Sequence, residues 1–334
     1  MNYSIAIKLG SSNTSIFKQG EGIVLFEPSL VACSGSGKDR IVKAVGSKAK
    51  RIEGRTGEQT FITSPIFEGR IADTDLAVVM LKSFLEKIFP RSLRKPRIKA
   101  VVCVPLGLNV TERKAFEKVC FLAGIQDVVL VPSIICGALG YNYPISNPNG
   151  VLLVNIGGGS TDVAAVSLNS IVSGVNVGIG GEAMDKAVEK HILALHKIYI
   201  GKGVAEKIKT EIGSLYASDT SNTEVNGVDQ DTKVSKSVVV ESSEIYPVLE
   251  HYYHKICEAI QSVLNSCPTN IVEDITNEGI FLFGGASLIT GAEQYFRKRL
   301  NLKVIVEDQT TAIDVIGAGK LLSDARLLNE LSRL

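Results

Sequence analysis

Two segments of this 334-residue chain, nearly half its length apart, follow the same pattern. The first is Ile5-Ala6-Ile7-Lys8-Leu9-Gly10-Ser11-Ser12-Asn13-Thr14, after which Ser15-Ile16-Phe17 turns apolar again. The second is Leu152-Leu153-Val154-Asn155-Ile156-Gly157-Gly158-Gly159-Ser160-Thr161-Asp162-Val163. In each, an apolar run is followed by one polar residue, one apolar residue and a glycine turn, the signature of a buried strand, a tight turn and a return strand. Lys8 aligns with Asn155, and Gly10 with Gly157. A unit recurring at this distance predicts a duplicated domain, each copy presenting one hairpin to a central cleft. A third apolar run, Ile280-Phe281-Leu282-Phe283, ends in Gly284-Gly285-Ala286-Ser287.

The segments between carry helical periodicity. Thr111 is positioned to cap a helix whose apolar face is Phe116, Val119, Cys120 and Ala123 and which stops at Gly124. Met184, Ala187, Val188, His191, Ile192 and Leu195 form a second stripe, and Ile245, Val248, Leu249, Tyr252, Ile256, Ile260, Val263 and Leu264 a longer one. Strands alternating with helices predict an α/β protein, and the length predicts two domains. The segments 33–72, with a Ser-Gly-Ser-Gly turn at 34–37, and 216–237, with an Asn226-Gly227 hairpin signal, read as peripheral subdomains.

Charge and composition exclude several functions. Lys plus Arg (36) nearly cancels Asp plus Glu (35), which removes the field a nucleic-acid groove requires. The N-terminus lacks the pattern of a signal peptide and no run has the length of a spanning helix, so a cytoplasmic location is expected. The six cysteines contain no Cys-x-x-Cys pair and the four histidines no ligand spacing, so neither a disulfide framework nor a metal site is expected. His191 lies on an apolar helical face and reads as structural.

Glycine turns expose backbone N–H groups to anionic oxygens and let the main chain approach a phosphate closely. Two matched turns and a third glycine cluster favour a polyphosphate ligand. The P-loop and dinucleotide-binding fingerprints are both absent, because Gly10-Ser11-Ser12 opens a hairpin rather than a helix.

Taken in order, Lys8 to Thr14, Glu27-Pro28-Ser29, Ala44-Val45-Gly46, Ile71-Ala72-Asp73, Cys103-Val104-Pro105, Asn155 to Ala164, Gly180 to Asp185, Ala205 to Gly213 and Gly279 to Gly285 resemble MreB, the bacterial actin-like rod-shape family, over nearly the whole chain. The resemblance implies the actin-like α/β fold, with two duplicated domains and small subdomains flanking a nucleotide cleft. The expected division is 1–32, 73–142 and 311–334 for the first large subdomain, with 33–72 as its small one. The second large subdomain is expected from 143–180 and 242–310, with 181–241 as its small one. ATP or ADP is the implied ligand. Gly10, Ser11, Ser12 and Asn13 resemble the first phosphate hairpin, and Gly157, Gly158, Gly159, Ser160 and Thr161 the second. Gly181 and Glu182 are implied near the phosphates, Glu206 and Lys209 near ribose and base, and Gly284, Gly285, Ala286, Ser287 and Leu288 against adenine. Self-assembly into filaments, with related filament proteins as further partners, is also implied.

The chain departs from the family at three places. Lys8 and Asn155 stand where the family's two hairpins begin with Asp, and Pro132 and Ser133 occupy acidic positions, one of which orients attacking water. Phosphoryl transfer relies on Mg²⁺ and a positioned water, so hydrolysis is expected to be weak or absent and Mg²⁺ weakly held. Unit charges about 4 Å apart interact by on the order of 4 kcal/mol at a protein surface, so a lysine at position 8 repels the metal. Its ammonium is expected to lie against the β- and γ-phosphates instead. Thr161 and Ser133 retain hydroxyls for residual turnover. The rival reading is an active ATPase with substitute residues that drives filament turnover. The loop 89–97 carries Leu93 with Arg91, Arg94, Lys95 and Arg97, an expected contact for anionic lipid at the inner face of the membrane. Leu321, Leu322, Leu327, Leu328, Leu331 and Leu334 predict a C-terminal helix packed on the first domain.

Overall fold

The computed structural model describes residues 2–35, 40–54, 60–89, 96–306 and 310–333. In the N-terminal half, strands β1 (Asn2–Leu9), β2 (Asn13–Lys18) and β3 (Gly22–Pro28) form a meander. After it come β4 (Val31–Ser34), β5 (Ile41–Val45), helix α1 (Ser47–Arg51), β6 (Thr60–Thr63) and the short hairpin β7 (Ile66–Phe67) and β8 (Arg70–Ile71). Helix α2 (Thr74–Ile88), β9 (Arg97–Val104), α3 (Val110–Ala123), β10 (Asp127–Pro132) and α4 (Ser133–Gly140) complete this half. The main sheet has the order β10-β9-β1-β2-β3, with β1 parallel to β9 and antiparallel to β2. A small sheet, β5-β4-β6, stands beside it.

The second half repeats the plan. Strands β11 (Val151–Ile156), β12 (Thr161–Ser167) and β13 (Ser170–Val177) form the meander, followed by α5 (Gly181–His196), β14 (Ile198–Tyr199), α6 (Lys202–Ile212), β15 (Asn222–Asp229) and β16 (Ser235–Glu241). Helices α7 (Ser242–Asn265) and α8 (Thr269–Glu278), strand β17 (Ile280–Phe283), α9 (Ala292–Leu300), β18 (Val304–Val306), α10 (Ile313–Leu321) and α11 (Ala325–Leu331) close the chain. The main sheet is β13-β12-β11-β17-β18 and the small one β14-β15-β16. This is the actin-like architecture the sequence implied.

Strand alternation sorts the side chains into layers. On β1, Ile5 and Ile7 face α2 and α3, where Met80, Phe84, Phe116 and Val119 are buried. Ala6 faces the opposite way. On β11, Leu152 and Val154 face α5 and α7, while Val151 and Leu153 join Ala6 in a third core between the two sheets. Helices α4 and α10 fill that layer. Their backbones nearly touch: a Cβ on Gly140 would lie 2.2 Å from the Ile313 carbonyl oxygen, and one on Gly317 1.8 Å from that of Cys136.

Four expectations are corrected. Helix α3 is capped by Asn109, not Thr111, because the Asn109 side chain accepts from the Glu112 N–H while the Glu112 carboxylate accepts from the Asn109 N–H. Asn226-Gly227 lies inside β15 rather than at a turn; a Cβ on Gly227 would come within 2.7 Å of the Tyr199 carbonyl oxygen, so the glycine serves strand packing. The turn at 34–37 falls partly outside the described residues. Leu195 is exposed in the last turn of α5. The C-terminal leucines occupy two helices, since the Asp324 carboxylate caps α11 by accepting from the Leu327 N–H. Leu321, Leu328 and Leu331 are buried in the core between the sheets, against both halves; Leu334 lies outside the described residues.

Candidate functional site in the cleft between the halves

The two glycine turns meet across the cleft. Each closes on itself in the same way, the Gly10 N–H donating to the Asn13 carbonyl at 3.1 Å and the Gly157 N–H to that of Ser160 at 2.9 Å. A Cβ on Gly158 would lie 2.0 Å from Ser12 Oγ, and one on Gly159 2.2 Å from Ser11 Oγ. Only glycine permits this approach. The turn of the β7–β8 hairpin joins the contact: the Gly69 N–H donates to Ser11 Oγ at 3.0 Å, and Gly69 abuts Ser160. Behind the second turn stands the N-terminus of α5, whose Gly181 and Glu182 N–H groups bond to the carbonyls of Gly157 and Gly158. The positive end of that sixteen-residue helix therefore points at the turn, which suits an anion.

A cavity of about 380 Å³ opens beside the turns. Its end at the turns is lined by residues 8–13, Ser133, Asn155, residues 157–160 and Gly181. The other end is lined by Glu206, Lys209, Gly285, Ala286 and Leu288. Most residues singled out in the sequence therefore converge. Thr161 does not: it is fully buried and its hydroxyl donates to the Ile179 carbonyl at 2.6 Å. Ser287 is likewise turned inward, bonding the Gly284 carbonyl. Glu182 pairs with Lys202 at 3.1 Å instead of lining the cavity.

Alternation explains the floor of the site. Lys8 shares a strand face with Ala6, and Asn155 shares one with Val151 and Leu153, so both point into the layer between the sheets. Opposite Lys8 in the hairpin register is Ser15, and opposite Asn155 is Asp162. The expectation that the Lys8 ammonium is left for a ligand's phosphates is modified by Asp314, near the start of α10: Lys8 Nζ lies 2.6 Å from its Oδ2. Burial opposes the charge on Lys8, yet the Asp314 carboxylate outweighs it and holds the amine protonated above its ordinary range. Burial pushes the Asp162 carboxyl up to about 6, against hydrogen bonds from Asn176 and the Leu106 N–H and the nearby charge of Lys8.

Farther along the cleft, Lys209 is buried, 2.7 Å from Asp185, and donates to the Gly181 carbonyl at 2.9 Å. Glu206 reaches across the opening to Lys50 on α1 at 2.7 Å, and Lys50 also meets Glu53 at 3.1 Å. This network joins α1 to α6 over the cavity. Asp162, Asp185 and Asp314 were missed in the sequence. Asp162 was detectable as the hairpin partner of Asn155, and Asp314 as a lone carboxylate in the apolar run Ile313-Asp314-Val315-Ile316.

The floor does not fit the divalent ion that the resemblance implies. An ammonium stands at position 8, position 155 offers only a neutral amide, and Asp162 already accepts two hydrogen bonds. Among the described residues no three His, Cys, Asp or Glu side chains converge as ligands.

Comparison with known proteins gives a consistent result. The chain is 34% identical over 321 residues to the cell shape-determining protein MreB of Escherichia coli K12, covering 95% of this chain and 92% of that one. The crystal structure of MreB5 of Spiroplasma citri bound to ADP superposes with a TM-score of 0.90 at 28% identity, covering 99% of this chain and 98% of the other. The MamK double helical filament shares the fold, with a TM-score of 0.81 at 18% identity over 97% of this chain and 99% of that one. The family model for the MreB/Mbl protein matches residues 2–330. The chain belongs to the MreB/Mbl family.

Proposed function

We propose that this protein is a cytoskeletal filament protein that holds ATP or ADP between its two halves and hydrolyses it slowly or not at all. The observation that supports this most is the apposition of the two glycine turns at one end of the 380 Å³ cavity, with the α5 N-terminus behind them. Solved structures of S. citri MreB5 with ADP and with AMPPNP support nucleotide as the ligand. In this reading the turns bind the phosphates, Glu206 and Lys209 lie beside the ribose and base, and Gly285, Ala286 and Leu288 flank the adenine, with Gly284 and Ser287 behind them.

Slow turnover follows from the floor. Ser133 lines the cavity with a hydroxyl, a poorer water-orienting group than a carboxylate, and the Thr161 hydroxyl is already engaged by Ile179. Head-to-tail contacts that repeat without closing would then yield a filament as the product, rather than turnover. The four-part division into two large and two small subdomains belongs to this reading. So does a location in the cytoplasm at the inner face of the membrane, although residues 90–95 of the basic loop lie outside the described residues. Among the described residues no helix is long and apolar enough to cross a membrane.

The test is phosphate release from purified protein with saturating ATP and Mg²⁺, run beside nucleotide binding and sedimentation on the same sample. Binding and pelleting without appreciable release is the expected result. Rapid release would favour the active-ATPase reading, and absence of binding would overturn the nucleotide assignment.

A further inference from the structure

The floor of the cleft already contains a cation. The Lys8 ammonium lies 2.6 Å from Asp314 and near enough to Asp162 for their charges to interact. Two neutral oxygens of the same cavity lining, Asn155 Oδ1 and Ser15 Oγ, have no hydrogen-bond partner among the described residues, although their residues are only 5% and 1% exposed. All but Asp314 belong to residues lining the cavity. Carboxylates grouped around a positive centre are the usual setting of a hard divalent ion, and here the centre held by Asp314 is a side chain. A second cation entering this floor would sit beside the ammonium and be repelled.

We propose that Lys8 is the resident cation of this site, so that a polyphosphate is bound as the free anion, without a divalent metal accompanying it. The inference rests on the nucleotide reading above. Asp314 is 1% exposed and does not line the cavity, so it holds Lys8 from behind without meeting the ligand. The ammonium has three N–H donors and is a compact point charge. Asp314 takes one side of it, and the Lys8 side chain keeps 19% exposure toward the cavity. A phosphate oxygen placed there gains a charge-assisted hydrogen bond from a donor already fixed in position. The backbone of Gly10 to Ser12 and Gly157 to Ser160 then surrounds the remaining oxygens.

Titration of the full-length protein with fluorescent ADP and ATP, once with Mg²⁺ and once with EDTA, tests this. The Kd is expected to change by no more than about threefold on chelation. A larger loss overturns the proposal while leaving nucleotide binding intact, whereas no binding in either buffer overturns both. A second arm uses Lys8→Met combined with Asp314→Leu, with folding verified by circular dichroism. Its metal-free affinity is expected to fall about tenfold; unchanged affinity in a folded double variant would show that Lys8 is not the cation. The wild-type comparison stands whether or not this variant folds.

Discussion

Replacing Lys8 by methionine alone, while Asp314 stays in place, should be among the most damaging single changes in the first half of the chain. Asp314 is 1% exposed and its Oδ2 depends on the Lys8 ammonium 2.6 Å away, while its Oδ1 accepts from the Val315 N–H. Removing one partner of a buried ion pair leaves an uncompensated charge, which costs about 3–5 kcal/mol. Replacing both with apolar residues of similar size removes the desolvation penalty together with the attraction, so the Lys8→Met, Asp314→Leu protein should lie within about 1 kcal/mol of wild type. The two singles and the double therefore form a cycle with a coupling free energy of about 3 kcal/mol or more. Urea unfolding followed by far-ultraviolet circular dichroism measures all four proteins. If Lys8→Met costs less than about 1 kcal/mol, or the double is as unstable as the single, Lys8 and Asp314 are not a buried mutually dependent pair and the account of the cleft floor fails.

Three further outcomes are expected. The Asp162 carboxyl, raised to about 6, disfavours the folded state progressively as pH rises from its unfolded value near 3.8 through 6, so Asp162→Asn should gain stability relative to wild type across that window, by about 2–3 kcal/mol at most, in unfolding midpoints measured from pH 4 to 7. A constant difference between the two proteins would refute the shift. Lys50→Glu breaks the bridge to Glu206 and Glu53; because these groups are more than a third exposed on either side of the 2.7 Å contact, the gain in ADP dissociation rate should be only about three- to fivefold and should shrink at high salt. A stopped-flow rate identical to wild type would mean that the network does not restrain opening. Gly158→Ala places a methyl 2.0 Å from Ser12 Oγ and 3.2 Å from the Ser12 backbone nitrogen, so the turns must separate and nucleotide affinity should drop about tenfold, read by the same titration. Retained affinity would show that the turns need not touch.

Much of the fold was legible because it rests on local patterns. The paired hairpins and the α3 face ending at Gly124 depend on period and on glycine, and the long α7 stripe on period alone. Two signals were misread: the Asn109-x-x-Glu112 capping box was present in the sequence beside Thr111, whereas Gly227 depends on the approach of Tyr199, which a dipeptide signal does not encode. In the site, the glycine turns could be read because their chemistry lies in the backbone, which the sequence marks by the absence of side chains. The carboxylate of Asp185 could not, since it takes its meaning from Lys209, and Asp314 stood out only as a charge in an apolar run, its partner Lys8 lying at the other end of the chain. Thr161 illustrates the converse, a residue in a well-recognised motif whose hydroxyl is diverted by the Ile179 carbonyl.

The crossing of α4 and α10 has a mechanical consequence. Gly140 and Gly317 bring main chain against main chain, with the Ile313 side chain lying against Gly140. Such a contact resists separation of the helices, because the surrounding core of Val101, Leu153 and Phe283 is shared by both halves, but it offers little resistance to turning. A turn of one half against the other would then have its axis at this crossing. A small change in aperture at the glycine turns is magnified with distance from that axis, and is greatest at the outer edges of the molecule.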